Sequence, residues 1–128
     1  PEARMRLRAI RTRGEVVDFA WDFASDAAAA LLRCHPIVLN GRTLCAWQDA
    51  GPIGQLPLLD RYRRILDEGR TQSFDHVHGV DGRQDVVIHR VVCDGDGVAV
   101  TLINLSANRR AQAFRLRVEV PPATQGRR

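Results

Sequence analysis

The sequence predicts an α+β domain in which one antiparallel sheet carries its helices on a single face. Three observations lead there. Two stretches near the start alternate apolar and polar residues at strand period, two or three helical stretches follow, and three further strand-like runs joined by Asp-Gly turns close the pattern. At 128 residues, 45% hydrophobic and 27% charged, the chain has the length of one compact unit and enough apolar surface for a core, which excludes disorder as its default state.

Taken in order, residues 5–9 set Met5, Leu7 and Ala9 on one side and Arg6 and Arg8 on the other. Residues 16–23 repeat the period, with Val17, Phe19, Trp21 and Phe23 on one face and Asp18 and Asp22 opposite. A three-residue Thr12-Arg13-Gly14 loop then predicts a hairpin pairing Leu7 with Phe19, Met5 with Trp21 and Arg8 with Asp18. Ser25 stands as a capping residue before the helix formers of residues 26–34, and Pro36 reads as the end of that helix. Residues 37–54 contain Gly41, Gly51, Pro52 and Gly54, so they are expected to form a crossover with at most a short helix around residues 43–49. Helical spacing resumes over residues 56–68, where Leu58, Leu59, Tyr62, Ile65 and Leu66 form an apolar stripe and Gly69 the stop. Strands are predicted at residues 72–78, 84–93 and 98–105, separated by Val80-Asp81-Gly82-Arg83 and Asp94-Gly95-Asp96-Gly97. Beyond Leu105 a polar, Arg-rich stretch can carry a short helix until Pro121-Pro122. The domain is assigned to residues 1–113 and a linker or tail to residues 114–128.

The net charge is +4, and all 19 basic side chains are Arg. Replacement of every Lys by Arg is what codon bias in a GC-rich genome produces. A nucleic-acid surface would need Arg clustered on one face among aromatics, whereas aromatics make up 5% of the chain and most Arg residues lie near Asp or Glu. Nucleic acid is therefore not assigned as a partner. No run reaches the ~20 apolar residues of a membrane-spanning helix, and no secretory signal is recognised, so the domain is expected to be cytoplasmic without membrane contact. Cys34, Cys45 and Cys93 match neither a zinc spacing nor a disulfide framework. They read as small reduced hydrophobes, with a redox role for Cys34 beside Arg33 as the alternative.

The order and spacing of these elements resemble those of a PAS domain over residues 5–113. Gly14-Glu15-Val16-Val17-Asp18-Phe19 followed by Ser25-Asp26-Ala27-Ala28-Ala29-Ala30-Leu31-Leu32 is similar to the family's second strand and its "N-P-A-A-x-x-L-L" helix, with Ser25 and Asp26 in place of Asn and Pro. Gly41-Arg42-Thr43-Leu44 is similar to the "G-R-x-L" opening its short central helix, and residues 60–69 resemble its long helix. Asp81-Gly82-Arg83 and Asp96-Gly97-Val98 resemble its last hairpins. Asn104-Leu105-Ser106, with Arg109-Arg110 behind, stands where the family closes with "D-I-T-E-R-R". The resemblance implies a five-stranded antiparallel sheet with helices on one face. It also implies a sensory or interaction module of a bacterial signalling protein, such as a two-component histidine kinase or a diguanylate cyclase, whose output module lies outside this chain. Asn104 and Ser106 would then relay the signal, although replacement of the family's Asp by Asn104 removes a charge from that relay. The "N-C-R-F-L-Q" flavin motif is missing, and residues 56–68 hold no His for haem, so neither cofactor is expected.

Candidate sites are few. Trp47, Leu59, Tyr62, Phe74 and His89 are expected to line an apolar chamber for a small organic ligand, with ordinary core as the alternative. His76, His78 and His89 share a sheet face if the loop at Val80 to Arg83 has two or four residues. Three imidazoles there could hold Zn or Cu or respond to pH. The separation of His78 and His89 along their strands argues against a shared metal, so no metal site is assigned. No nucleophile beside a base, phosphate loop or carboxylate pair is present, so no enzyme activity is expected within the chain. The expected function is ligand sensing in a homodimer. A ligand-free dimerisation module is the alternative.

Overall fold

The computed structural model describes residues 2–47, 51–80 and 82–119. Five strands, β1 (Ala3–Thr12), β2 (Glu15–Ala24), β3 (Gln72–Val80), β4 (Arg83–Cys93) and β5 (Gly97–Asn104), form one antiparallel sheet in the order β2-β1-β5-β4-β3. Three helices, α1 (Asp26–Leu31), α2 (Pro36–Leu39) and α3 (Leu58–Glu68), lie between β2 and β3 in the chain, and α4 (Leu105–Glu119) follows β5. This is the α+β architecture expected from the element order.

The first hairpin differs from its expected register. Arg13 and Gly14 both take positive φ, 53° and 82°, so the turn has two residues and Thr12 pairs with Glu15. Only this mirror-image turn matches the right-handed twist of the strands. Irregularities at Ile10/Arg11 and Arg6/Leu7 then pair Ala9 with Phe19, Leu7 with Trp21 and Met5 with Ala24. Val17 and Asp22 are the residues skipped, which turns Val17 outward and leaves Val16, Phe19, Ala20 and Trp21 buried. Arg8 consequently meets Asp22 at 3.1 Å rather than Asp18.

Local chemistry explains the helices. The Ser25 hydroxyl accepts from the Ala28 amide at 3.2 Å, which caps α1. Pro36 does not end a helix but opens α2, where its missing N–H and fixed φ suit the first turn. The His35 ring accepts from the Ile37 amide at 3.2 Å as the cap. Residues 44–46 are turns, and residues 48 and 49 of the expected short helix lie outside the described residues. In α3, Leu58, Tyr62 and Ile65 are buried, Leu59 and Leu66 half-buried, and Gly69 ends it at φ 71°. The helix after β5 is longer than expected and runs unbroken past residue 113. Asp81 and Pro121-Pro122 lie outside the described residues.

The core forms where Met5, Leu7, Phe19 and Trp21 of the first hairpin meet Leu58, Tyr62 and Ile65 of α3. Phe19 and Tyr62 pack edge to face at 6.0 Å, and the Trp21 indole N–H donates to Met5 Sδ at 3.3 Å. Gly97 faces Arg8, and a Cβ there would overlap the Leu7 carbonyl oxygen, so the close approach of β1 to β5 requires glycine. On the opposite, outer face Arg6 and Arg8 of β1 are neutralised locally, and Arg11, near the end of the strand, is neutralised by the turn between β4 and β5. Arg6 meets Asp22 at 2.7 Å and Asp94 at 2.8 Å, and Arg11 meets Asp96 at 2.8 Å.

Both sheet edges are engaged by the crossover between β2 and β3. On the β2 edge, Trp21 donates to the Arg42 carbonyl at 2.9 Å, and Gly41 donates to the Trp21 carbonyl at 2.7 Å. On the β3 edge the Gln55 carboxamide grips Val77, accepting from its amide at 2.8 Å and donating to its carbonyl at 3.0 Å.

Candidate functional site

The β3–β4 hairpin places its even- and odd-numbered inner residues in direct opposition: Phe74 with His89, His76 with Val87, and His78 with Asp85. The pairing follows from the two-residue connection between Val80 and Arg83 and is one of the two loop lengths that put the histidines on one face. His76, His78 and His89 are 1%, 2% and 0% exposed.

Although His78 and His89 stand four pairs apart along the strands, their Nε2 atoms meet at 2.8 Å. Their ring centroids are 5.1 Å apart and their planes differ by 9°. The gap between those two distances is what two ring radii occupy, so the rings meet tip to tip and nearly coplanar. The inner face of a coiled sheet and the lean of side chains along their strands bring the tips together. His76 completes the triangle, 5.1 Å from His78 and 5.5 Å from His89. A hydrogen-bonded Nε2 pair leaves no room for a metal ion between the two nitrogens, and no group suited to hold one is found among the described residues.

His89 and His76 have further polar partners. The Tyr62 hydroxyl lies 2.7 Å from His89 Nδ1, and Phe74 stacks on the His89 ring at 5.0 Å. Gln55, whose amide orientation is set by its grip on Val77, donates to His76 Nε2 at 3.1 Å. Two proton arrangements satisfy the Tyr62–His89–His78 chain, and in both a single proton lies between the two Nε2 atoms. Burial, reinforced by the His78 and His76 rings and the Arg61 guanidinium, holds His89 well below the ordinary imidazole range. Arg61 itself lies 4.6 Å over the Phe74 ring.

The expected ligand lining divides into two groups. Trp47 and Leu59 line an apolar cleft of about 230 Å³ together with Leu44, Cys45, Pro57 and Leu58. Tyr62 and His89 lie instead in the closed interior, with the half-buried Phe74 stacked on His89 at its margin. Trp47 connects the two, packing against Trp21 at 5.9 Å and His78 at 6.0 Å. The Cys45 thiol is pushed up by its hydrogen bond to Asp18 and by the charge of that carboxylate, which disfavours the reactive thiolate.

The expected relay residues sit at a built junction. Asn104 Oδ1 accepts from the Ala107 amide at 2.9 Å and so caps α4, while its Nδ2 donates to Asp85 at 2.9 Å. Ser106 Oγ accepts from the Val86 amide at 2.9 Å. Asp85, whose side chain is 0% exposed, receives both Arg110 Nη atoms at 3.0 and 3.1 Å and Arg83 Nε at 3.2 Å. The guanidinium of Arg110 lowers the Asp85 carboxyl to about 2, with Asn104 and Arg83 contributing. Asp85 thus places a buried carboxylate beside Asn104 at this junction. Sequence reasoning missed Asp85, although it follows the same period-2 face as Val87 and His89. Gln55 and Arg110 carry no local pattern that marks them.

No family model matches the chain, and no curated protein matches it. Among solved structures, the PAS domain of Bordetella pertussis BvgS superposes with a TM-score of 0.55 at 17% identity, covering 94% of this chain and 86% of that one. The chain therefore has a PAS-like fold.

Proposed function

We propose that this chain is a sensory domain that takes a small apolar molecule into the Trp47–Leu59 cleft and passes its presence through the β5–α4 junction to an output module outside the chain. The continuity of contacts supports this reading. Trp47 lines the cleft and packs on His78, His78 lies across from Asp85, and Asp85 holds Asn104 and Arg110 at the root of α4. At about 230 Å³ the cleft falls below the ~300–1,000 Å³ of ordinary drug-sized or cofactor sites, so its occupant is a small organic compound rather than haem or flavin. Ligand shifts the junction only in so far as it binds one arrangement better than another. Catalysis belongs to the output module of a bacterial signalling protein, and the ion-paired outer face gives nucleic acid little to grip.

A second reading, a ligand-free homodimerisation module, is favoured by Val17, Phe23 and Val92 on the outer face and Phe114 and Leu116 on α4, all exposed. Native mass spectrometry of gently purified protein, with thermal-shift screening of small apolar compounds, separates the two. A bound small molecule, lost in Leu59→Trp without loss of folding, supports the sensor. An empty protein that no compound stabilises, and that dimerises with concentration, overturns it in favour of the second.

A further inference from the structure

We propose that the His78–His89 pair is a proton-operated element: it takes up one proton as a unit, and that charge loosens the root of α4 by drawing on Asp85. The one-proton limit follows from the 2.8 Å Nε2–Nε2 contact. With one proton between the tips the pair is bonded. A proton added at His89 Nδ1 leaves that bond intact, turns the Tyr62 hydroxyl, 2.7 Å away, from donor to acceptor, and lets the shared proton cross to His78 Nε2, which carries the charge onto the ring of the residue that faces Asp85. A second proton would place hydrogens on both Nε2 atoms and force the rings apart. The pair therefore titrates as a coupled unit.

The surroundings decide where the charge is felt. Among the described residues, β3 presents His76, and α3 presents the Tyr62 hydroxyl and the Arg61 guanidinium. The crossover presents the uncharged Trp47 and Gln55. From β4 comes the buried carboxylate of Asp85, directly opposite His78 in the ladder, with Arg83 and Arg110 behind it and Asn104 of β5 beside it. Burial, the other imidazoles and Arg61 resist the proton, which sets its uptake below neutral pH. Asp85 is the carboxylate whose residue faces His78 directly across the ladder. Directly opposed residues carry their Cβ atoms ~4.5–5.5 Å apart. A buried cation there competes with the half-exposed Arg110 for the same carboxylate, and acidification thereby weakens the bonds that fasten α4.

The proposal rests on the junction being the way out for the signal, and it is tested without any cleft ligand. The full chain is titrated from about pH 7.5 to about pH 4.5, following imidazole nitrogens by NMR and backbone amides by hydrogen exchange. Asp85 stays ionised throughout. The expected result is one proton taken up by His78 and His89 together, with the protection factors of the Ala107 and Val86 amides, that is exchange relative to the intrinsic rate at each pH, falling about tenfold over the same interval while β1 and β2 stay protected. In His78→Gln, or in His89→Phe if the former does not fold, both responses disappear. Uptake of no proton or of two, unchanged protection at the junction, a junction response that persists in the variants, or protection falling equally everywhere overturns the proposal. An unchanged junction does not touch ligand binding in the cleft, so the two readings fail separately.

Discussion

Asp85→Asn keeps the shape of the side chain and removes its charge. Asp85 is buried with four donor contacts, and its carboxyl is held at about 2 against an ordinary 3.8. That depression means the fold favours the ionised over the protonated form by about 2 kcal/mol. Because the folded value lies below the unfolded one, the contribution is fully present above the unfolded value and is lost as pH falls through the folded one. Urea unfolding at neutral pH should therefore show the variant less stable by about 2 kcal/mol, a midpoint shift of roughly 1 M for an m-value of ~1–3 kcal/mol/M. Arg110 and Arg83 are 46% and 44% exposed, so water screens part of the attraction and the loss should not exceed that figure. The gap should close as the wild type is taken from about pH 4 towards about pH 2. A variant as stable as wild type at neutral pH, or a gap that ignores pH, refutes the assignment of Asp85 as the charged centre of the junction.

Gly97→Ala should destabilise by about 1–3 kcal/mol, because the new methyl group must displace the β1 backbone at Leu7; thermal unfolding checks it, and a neutral result would mean that β1 and β5 can part there. Folded His89 resists protonation while the unfolded imidazole accepts it at about 6.5, so stability should fall as pH drops below that value, by up to about 1.4 kcal/mol per pH unit. His89→Phe should flatten this slope in chemical denaturation at a series of pH values, and an unaltered slope would show that His89 is not its source.

The fold was legible where neighbouring residues decide the structure. The Ser25 cap, the Leu58–Tyr62–Ile65 stripe and the Asp94-Gly95-Asp96-Gly97 connection each act within a few residues, and the structure has all of them. Register in the first hairpin was not, because the residues skipped at Val17 and Asp22 break the alternation on which it was read. Pro36 was ambiguous in principle, since proline both ends one helix and starts another. At the site, the shared face of His76, His78 and His89 was readable from the turn length, but the tip-to-tip contact depends on sheet curvature. The grip of Gln55 on Val77 and the reach of Arg110 to Asp85 join residues 22 and 25 apart in the chain, beyond any periodic signal.

The crossover that carries the cleft also guards the sheet. Open edge strands are templates on which other chains can add a strand. Here the segment at Gly41 and Arg42 occupies backbone groups at the middle of the β2 edge, and the Gln55 side chain imitates a neighbouring strand at the middle of the β3 edge. Edge-to-edge polymerisation is therefore obstructed on both sides by one connecting segment. Copies of the chain that associate are steered towards the outer sheet face and α4, and loosening Gln55 would expose a sticky border.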